Sequence, residues 1–536
     1  MLLGAWLLLA LACGRKEAGG QAGGTPGTWQ PSYGDSIVEA SIGDISGLIP
    51  NITSDSASHE VGSLIYNGLV KYNKDYNLVS DIAESWDISK DGLVITFHLR
   101  KGVKWHDGVE FTAEDALFTY KTMVDPKTPT AYSEDFRQVK KIEVLDRYTF
   151  RVSYAEPFAP ALASWGIWML PKHLLEGRDL KQSPLSKNPI GTGPYKFKEW
   201  KTGEKVVLEA NPDYFEGRPY IDRVIYRIIP DQATIFLELK AKGIDYTGLT
   251  PIQYTKQTEY PDFRRSFSKY RYLANGYTYL GFNLLDPRFQ DKRVRQAIAH
   301  AINKQELIEG VRLGLGQEAT GPYKPGTWYY NPDVERYPFD PAKARALLGE
   351  AGWRDTNGDG ILDRNREPFK FTILTNQGNE DRKKTAEIIQ RRLREVGILV
   401  DIRIIEWAAF INEFIKKRKF EAIILGWGLS PDPDQYDIWH SSKTGPDELN
   451  HISYKNPEVD RLLDLGRHTF DQEKRKAYYY KLQEILAEEQ PIVFLFVPDA
   501  LPVVASRFKG IEPAPAGIAY NFVKWYVPKE LQRYTK

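Results

Sequence analysis

Cysteine is almost missing from this sequence: Cys13 is the only one in 536 residues. That scarcity removes structural disulfides, thiolate zinc sites and CxxC redox chemistry together. Histidine is scarce too, at eight, and no two form an HExxH pair, so a zinc hydrolase finds no support. There is no GxSxG elbow and no P-loop. After residue 12 no run approaches the roughly 20 apolar residues that a membrane-spanning helix needs. Neither sign of charge dominates, with 72 Lys and Arg against 71 Asp and Glu, a net of +1. Such a balance carries no footprint of nucleic acid or of an acidic membrane face. No cofactor and no resident metal is implied.

Aromatic residues are abundant: 13 Trp, 31 Tyr and 24 Phe. Most are expected in the core, where aromatic area is normally buried, with some left to line a ligand cavity. Hydrophobic content of 42% and charge of 27% describe an ordinary globular protein. Its length predicts two or three domains.

Met1–Ala12 carries no charged side chain and has the length of a secretory h-region, so residues 1–12 are expected to be a signal peptide. Leu11-Ala12-Cys13 would then put the cysteine first in the mature chain. It resembles the lipobox of bacterial lipoproteins, with Ala10 where leucine is usual. The bland alternative is an apolar tail with a chance cysteine. Six glycines follow between Gly14 and Gly27, too little apolar surface to offset ordering entropy. Residues 13–35 are therefore read as a lipidated cysteine and a flexible tether. Diacylation would supply the membrane affinity that one acyl chain cannot.

Beyond the tether, strands and helices alternate. Ile95, Phe97 and Leu99 recur with period 2, predicting a strand, and Asp107-Gly108 predicts a turn. Thr112 with Asp115 predicts a helix start. Val294, Ala297, Ile298, Ala301 and Ile302 fall at helical spacing, and Asn303 with Glu306 reads as a capping box. Asp340, Pro341 and Gly352 predict a helix cap, first position and stop. Residues 370–427 read strand, helix, strand, helix, strand, an α/β unit with parallel strands. Ligands of such sheets sit beyond the carboxyl ends of strands, which singles out the loop "WGLSPDPDQYDIWH".

Four long stretches then resemble the family 5 solute-binding proteins, extracytoplasmic receptors of peptide-type ABC importers. They are "AESWDISKDGLVITFHLRKGVKWHDGVEFTAEDALFTYK", "NPIGTGPYKFKEWKTGEKVVLEANPDYFEGRPYIDRVIYRII", "YLGFNLLDPRFQDKRVRQAIAHAINKQELI" and "YNPDVERYPFDPAKARALLGEAGW". The resemblance runs over about residues 36–525 in order. It implies an α/β, bilobal periplasmic-binding-protein-like fold of type II, with an extra subdomain and a two-strand hinge. Lobe I is expected over 36–62, 190–280 and 502–536, its inserted subdomain over 63–189, and lobe II over 281–501. The crossings are expected near Tyr279–Asn283 and Val497–Pro502.

By the same resemblance the protein captures peptides, oligopeptides rather than dipeptides, and delivers them to ABC permease subunits as a lipid-anchored, extracytoplasmic monomer without enzyme activity. Peptide-binding relatives carry an Asp three residues after a Trp, to pair with the peptide's α-amino group. Here the Trp is Trp427 and the third position is Ser430. The amine would then fall to Asp432 or Asp434, stay near water, or be missing from the ligand. Asp432 reads first as an Asp-Pro cap fixing the loop and second as a ligand contact. The expected ligand contacts are Trp427, Ser430 and Asp432, with Tyr436 and Trp439 weaker. Trp328 and Tyr329 in "GPYKPGTWYYN" and Asn283 complete the set. Each aromatic could instead be core packing.

Two further signals are weaker. Asp355, Asn357, Asp359 and Gly360 match the first positions of a calcium loop and Asp363 the ninth, but Arg366 stands where its bidentate Glu belongs; a hairpin turn explains the string as well. "GLGQEA" at Gly314 follows a helix rather than a strand, so a nucleotide loop fails on context. The competing readings are the same receptor with an oligosaccharide, nickel or another small solute as cargo, and an extracellular hydrolase with two carboxylates.

Overall fold

The computed structural model describes residues 29–534. The expected signal peptide, Cys13 and most of the tether lie outside the described residues.

Local sequence sets most elements. The strand Val94–Leu99 buries Ile95, Phe97 and Leu99 and half-exposes the alternate residues, as a period of 2 requires. The helix Ala113–Val124 starts at Thr112 with a reciprocal capping box to Asp115. Asn303 accepts a hydrogen bond from Glu306 N at 3.0 Å and opens Lys304–Gly310. Asp340 caps Pro341–Glu350, whose chain turns away at Gly352 with φ +86°, a left-handed conformation that suits glycine.

Two seven-stranded sheets with helices on their faces form the two lobes. The first is ordered Phe267–Lys269, Pro502–Ala505, Tyr246–Gly248, Ser36–Ser41, Arg223–Ile228, Lys205–Ala210, Tyr195–Lys201. The second is ordered Tyr272–Leu273, Ile492–Ala500, Gly276–Phe282, Ala422–Gly428, Lys370–Asn376, Leu399–Ile405, and Gly316–Glu318 adds to Ile492–Ala500. As the 370–427 pattern predicts, Lys370–Asn376 is parallel to Leu399–Ile405 and to the start of Ala422–Gly428. A separate four-stranded antiparallel sheet, Ala83–Ile88, Val94–Leu99, Thr149–Tyr154 and Val139–Asp146, has its own core around Phe97, Phe150 and Trp165.

The chain passes between the large sheets twice, and the two passages touch. One runs from Phe267–Lys269 through Tyr270 and Arg271 to Tyr272–Leu273; the other runs from Ile492–Ala500 through Leu501 to Pro502–Ala505. The second lies where it was expected. The first does not: Gly276–Phe282 is buried throughout and pairs along its whole length with Ala422–Gly428. The lobe boundary expected at 280 is thus corrected to Tyr270–Arg271. Among the described residues no helix is long and apolar enough to cross a membrane.

Candidate functional site

The lobes are shut against each other. On one rim, Arg467 at the end of the helix Pro457–Arg467 lies 2.6 Å from Asp135 beside the four-stranded sheet and 2.6 Å from Asp434 in the loop after Ala422–Gly428. Its side chain is 1% exposed. Lys443 on the same rim meets Glu134 and Asp437 at 3.3 Å and Glu448 at 3.5 Å. On the other rim Trp407 Nε1 donates to Asp55 Oδ1 at 3.4 Å, and its ring covers Gly43 so closely that a Cβ there would sit 2.6 Å from it. Glu380 N donates to Gln232 Oε1 at 3.0 Å.

Between the rims the strand Ala422–Gly428 outruns its parallel neighbour, which pairs only with Ala422 and Ile423. From Gly426 onward one edge is free of strand pairing, and Gly426 and Gly428 put no side chain over it. A Cβ at Gly428 would meet nothing within 4 Å. Such an edge can accept an extended chain as an added strand.

Four expected residues gather at this strand end. Ser430 is exposed, near the Tyr72 phenol from a hairpin of lobe I. Burial, with Asp432 nearby, pushes the Tyr72 phenol up to about 12. Tyr329 donates to Pro431 O at 3.3 Å, and Trp328 stands edge-on to it at 5.2 Å. Trp427 is half-buried and stacks on His451 at 5.4 Å; burial and Arg418 drive that imidazole down to about 3, so it stays neutral.

The remaining candidates serve the fold. Asp432 lies 3.2 Å from Arg475 and accepts a hydrogen bond from Asp434 N at 2.9 Å. Asp434 is held by Arg467. Both carboxylates named as stand-ins for the amine anchor therefore already have arginine partners. Tyr436 is stacked on His440 at 4.1 Å with the Arg467 guanidinium over its ring. Trp439 is corrected to core: it is 1% exposed, and its Nε1 donates to Gln435 Oε1 at 2.8 Å. Asn283 is corrected too. It donates to Phe420 O at 3.0 Å at the opposite end of the strand from Trp427, about 20 Å away at strand rise. In the calcium-like string, Asp355 accepts hydrogen bonds from Gly358 N and Gly360 N at 2.7 and 2.9 Å, and Asp363 from Thr356 N at 2.9 Å. These carboxylates hold a turn. Among the described residues no three metal-ligating side chains are grouped to hold an ion.

Two features of the cleft escaped the sequence reading. Arg382, in the first turn of Glu380–Glu395, has Asn376 Oδ1 at 2.7 Å as its hydrogen-bond partner and no carboxylate among the described residues; burial lowers it to about 10. It stands at the carboxyl end of a parallel strand beside Gly426, where a Cβ would lie 3.0 Å from its Nη2. Glu39, on the first strand of lobe I, faces Glu60 from the helix Ser56–Ile65, and burial raises both. Glu39 was legible, as a carboxylate set among Ile37, Val38 and Ala40 in a parallel strand that should be apolar. A separate cavity of about 590 Å³, opening between Ser46–Ile49, Ser186–Lys187, Lys416–Lys417 and Pro446–Asp447, touches none of the expected residues.

Known proteins resemble the chain over nearly all its length. Residues 77–448 match the family described as bacterial extracellular solute-binding proteins, family 5 Middle. The oligopeptide-binding protein AppA of Bacillus subtilis is 35% identical over 99% of this chain and 98% of its own. The structure of that AppA in complex with a nonapeptide superposes with a TM-score of 0.89 at 34% identity, covering 93% of this chain and 100% of that one. NikZ of Campylobacter jejuni in complex with Ni(L-His) gives 0.83 at 30% identity over 92% and 99%.

Proposed function

The chain belongs to the family 5 bacterial extracellular solute-binding proteins, and from that premise we propose that it captures oligopeptides between its lobes for an ABC importer. The observation that carries this reading is the free edge at Gly426–Gly428 inside a cleft whose rims are closed, together with whole-length similarity to a protein that holds a nonapeptide. An extended peptide added to this edge is held by main-chain hydrogen bonds that every sequence offers, and its side chains point alternately to either side. Tyr72, Trp328, Tyr329, Trp427 and Ser430 bound the space around it. Arg382 takes the ligand's carboxylate: it is cationic, lacks a carboxylate partner, and sits at a helix start, where the macrodipole adds to its field.

Ligand selects the closed arrangement because only there do both lobes contact it. The rim pairs of Asp135, Arg467 and Lys443 complete that arrangement. Family-wide the role is that of a receptor; this chain's lack of catalysis, its monomeric state, its permease partners and its attachment by a lipid at Cys13 are part of the same proposal. A cargo other than peptide is the second reading, favoured by Ser430 standing where the amine anchor is expected.

Thermal-shift screening against peptide, oligosaccharide and nickel–histidine libraries separates the readings. A true cargo stabilises by RT ln(1 + [L]/Kd), about 2.7 kcal/mol at a hundredfold excess over Kd. Stabilisation by oligopeptides without hydrolysis supports the proposal; stabilisation by sugars or the nickel complex alone replaces it.

A further inference from the structure

We propose that Glu39 and Glu60 form a cation subsite in lobe I, which binds an ammonium or guanidinium group of the ligand. The proposal rests on the peptide-receptor reading and says which part of the cleft reads positive charge.

The first support is position. Glu39 lies two residues before the carboxyl end of Ser36–Ser41, level with Tyr226 on one neighbouring strand and Tyr246 on the other. In a parallel pair, residues in register point to the same face, so the carboxylate stands between two phenols. Beyond Tyr246 lies Tyr272, at the passage between lobes. The helix that carries Glu60 is capped by Asp55, the residue that meets Trp407 of lobe II. Thus the pair lies between the sheet of lobe I and the helix whose cap reaches lobe II.

The second support is an unmet demand. Glu39 is 8% exposed, and among the described residues no cation pairs with its carboxylate; its hydrogen-bond partner is another carboxyl group, that of Glu60. A buried anion without a counter-charge costs several kcal/mol unless it takes up a proton or finds a partner. Glu60 is itself exposed, so the pair can be reached from solvent. An incoming cation would neutralise both groups and bond to their oxygens.

The third support is elimination. Asp432 and Asp434, the loop carboxylates nearest the usual amine anchor, are already held by Arg475 and Arg467. The cleft's cation preference then passes from the loop of lobe II to the sheet of lobe I. The cation can be the ligand's α-amino group or a basic side chain.

Calorimetric titration of alanine-based nonapeptides distinguishes the two. Four sets are compared on the wild type and on E39Q/E60Q: free or acetylated at the N-terminus, with lysine or norleucine scanned along the chain. The wild type should lose at least tenfold in affinity on acetylation if the α-amino group is bound, or on norleucine replacement at one position if a side chain is. E39Q/E60Q should lose that preference while its melting temperature holds or rises, because the amides remove a desolvated charge pair. Equal binding of all four sets by the wild type, or an unaltered preference in E39Q/E60Q, overturns the subsite. Should none of the peptides bind, the receptor reading fails on its own, and cadaverine decides the subsite. A melting shift with cadaverine in the wild type but not in E39Q/E60Q keeps it; no shift in either overturns it.

Discussion

Asp135 and Arg467 lie 2.6 Å apart, yet they belong to opposite walls of the cleft. Their separation in sequence, and the near-complete burial of the guanidinium, make this pair a marker of closure rather than of folding.

Replacing Arg467 with Ala leaves Asp135 and Asp434 facing each other without their cation. Breaking a buried pair costs about 3–5 kcal/mol, but separation of the lobes lets water reach both carboxylates. The loss is therefore expected in ligand affinity, about a hundredfold or more, and in the compaction seen by small-angle scattering. A large fall in the melting temperature of the ligand-free protein with affinity retained would contradict this.

Closure should weaken as pH rises. Among the described residues, Asp135, Asp437, Asp434, Asp432, Glu134 and Glu448 outnumber the cations they meet on this rim, Arg467, Arg475, Lys443 and Arg137. Burial pushes Asp135 up to about 7 and Asp437 up to about 6. Each is raised in the closed form and ordinary in the open one, so closed-state stability is full below about 4 and is lost as pH climbs through about 6–7. The affinity ratio of wild type to D135N for an acetylated, uncharged peptide should fall between pH 5 and 8. A flat ratio refutes it.

Gly428→Val tests the free edge. The new side chain meets no protein atom at its Cβ and suits a strand, so the melting temperature should hold. Peptide affinity should drop about tenfold, because the side chain occupies the space beside the edge. Unchanged affinity would move the ligand elsewhere.

Trp439→Ala and Trp427→Ala should behave differently. Trp439 is core, so its loss costs about 3–5 kcal/mol of stability, with ligand affinity unaffected in the protein that remains folded. Trp427 is half-buried against His451 and borders the cleft; its truncation should lower affinity by about 1–3 kcal/mol with a smaller stability cost. Equal effects of the two on binding would show that Trp427 only packs.

Helix starts and strand faces were readable because their causes are local: Thr112 with Asp115, Asn303 with Glu306 and the alternation at Ile95, Phe97 and Leu99 all act within a few residues. The loop after Trp427 was also readable, as the end of a strand in a parallel unit. What occupies Asp432 and Asp434 was not, because Arg475 and Arg467 come from helices that only the fold brings there. Nor could spacing tell Trp439 from Trp427, since both are aromatic and 12 residues apart. The first passage between lobes was misplaced because Tyr270 and Arg271 carry no glycine or proline to mark them; their role comes from the partner strand.

That partnership governs how the protein opens. From Phe267 to Leu273 the first passage pairs with Ala505 to Asp499 of the second, Tyr270 N donating to Pro502 O at 2.9 Å and Arg271 Nε to Asp499 Oδ2 at 2.6 Å. Two strands laced together in this way flex easily out of their own plane and resist shearing or twisting past each other. The lobes are left with one direction of travel, so entry and exit of a guest share a single path, and stiffening either strand should slow both by the same factor.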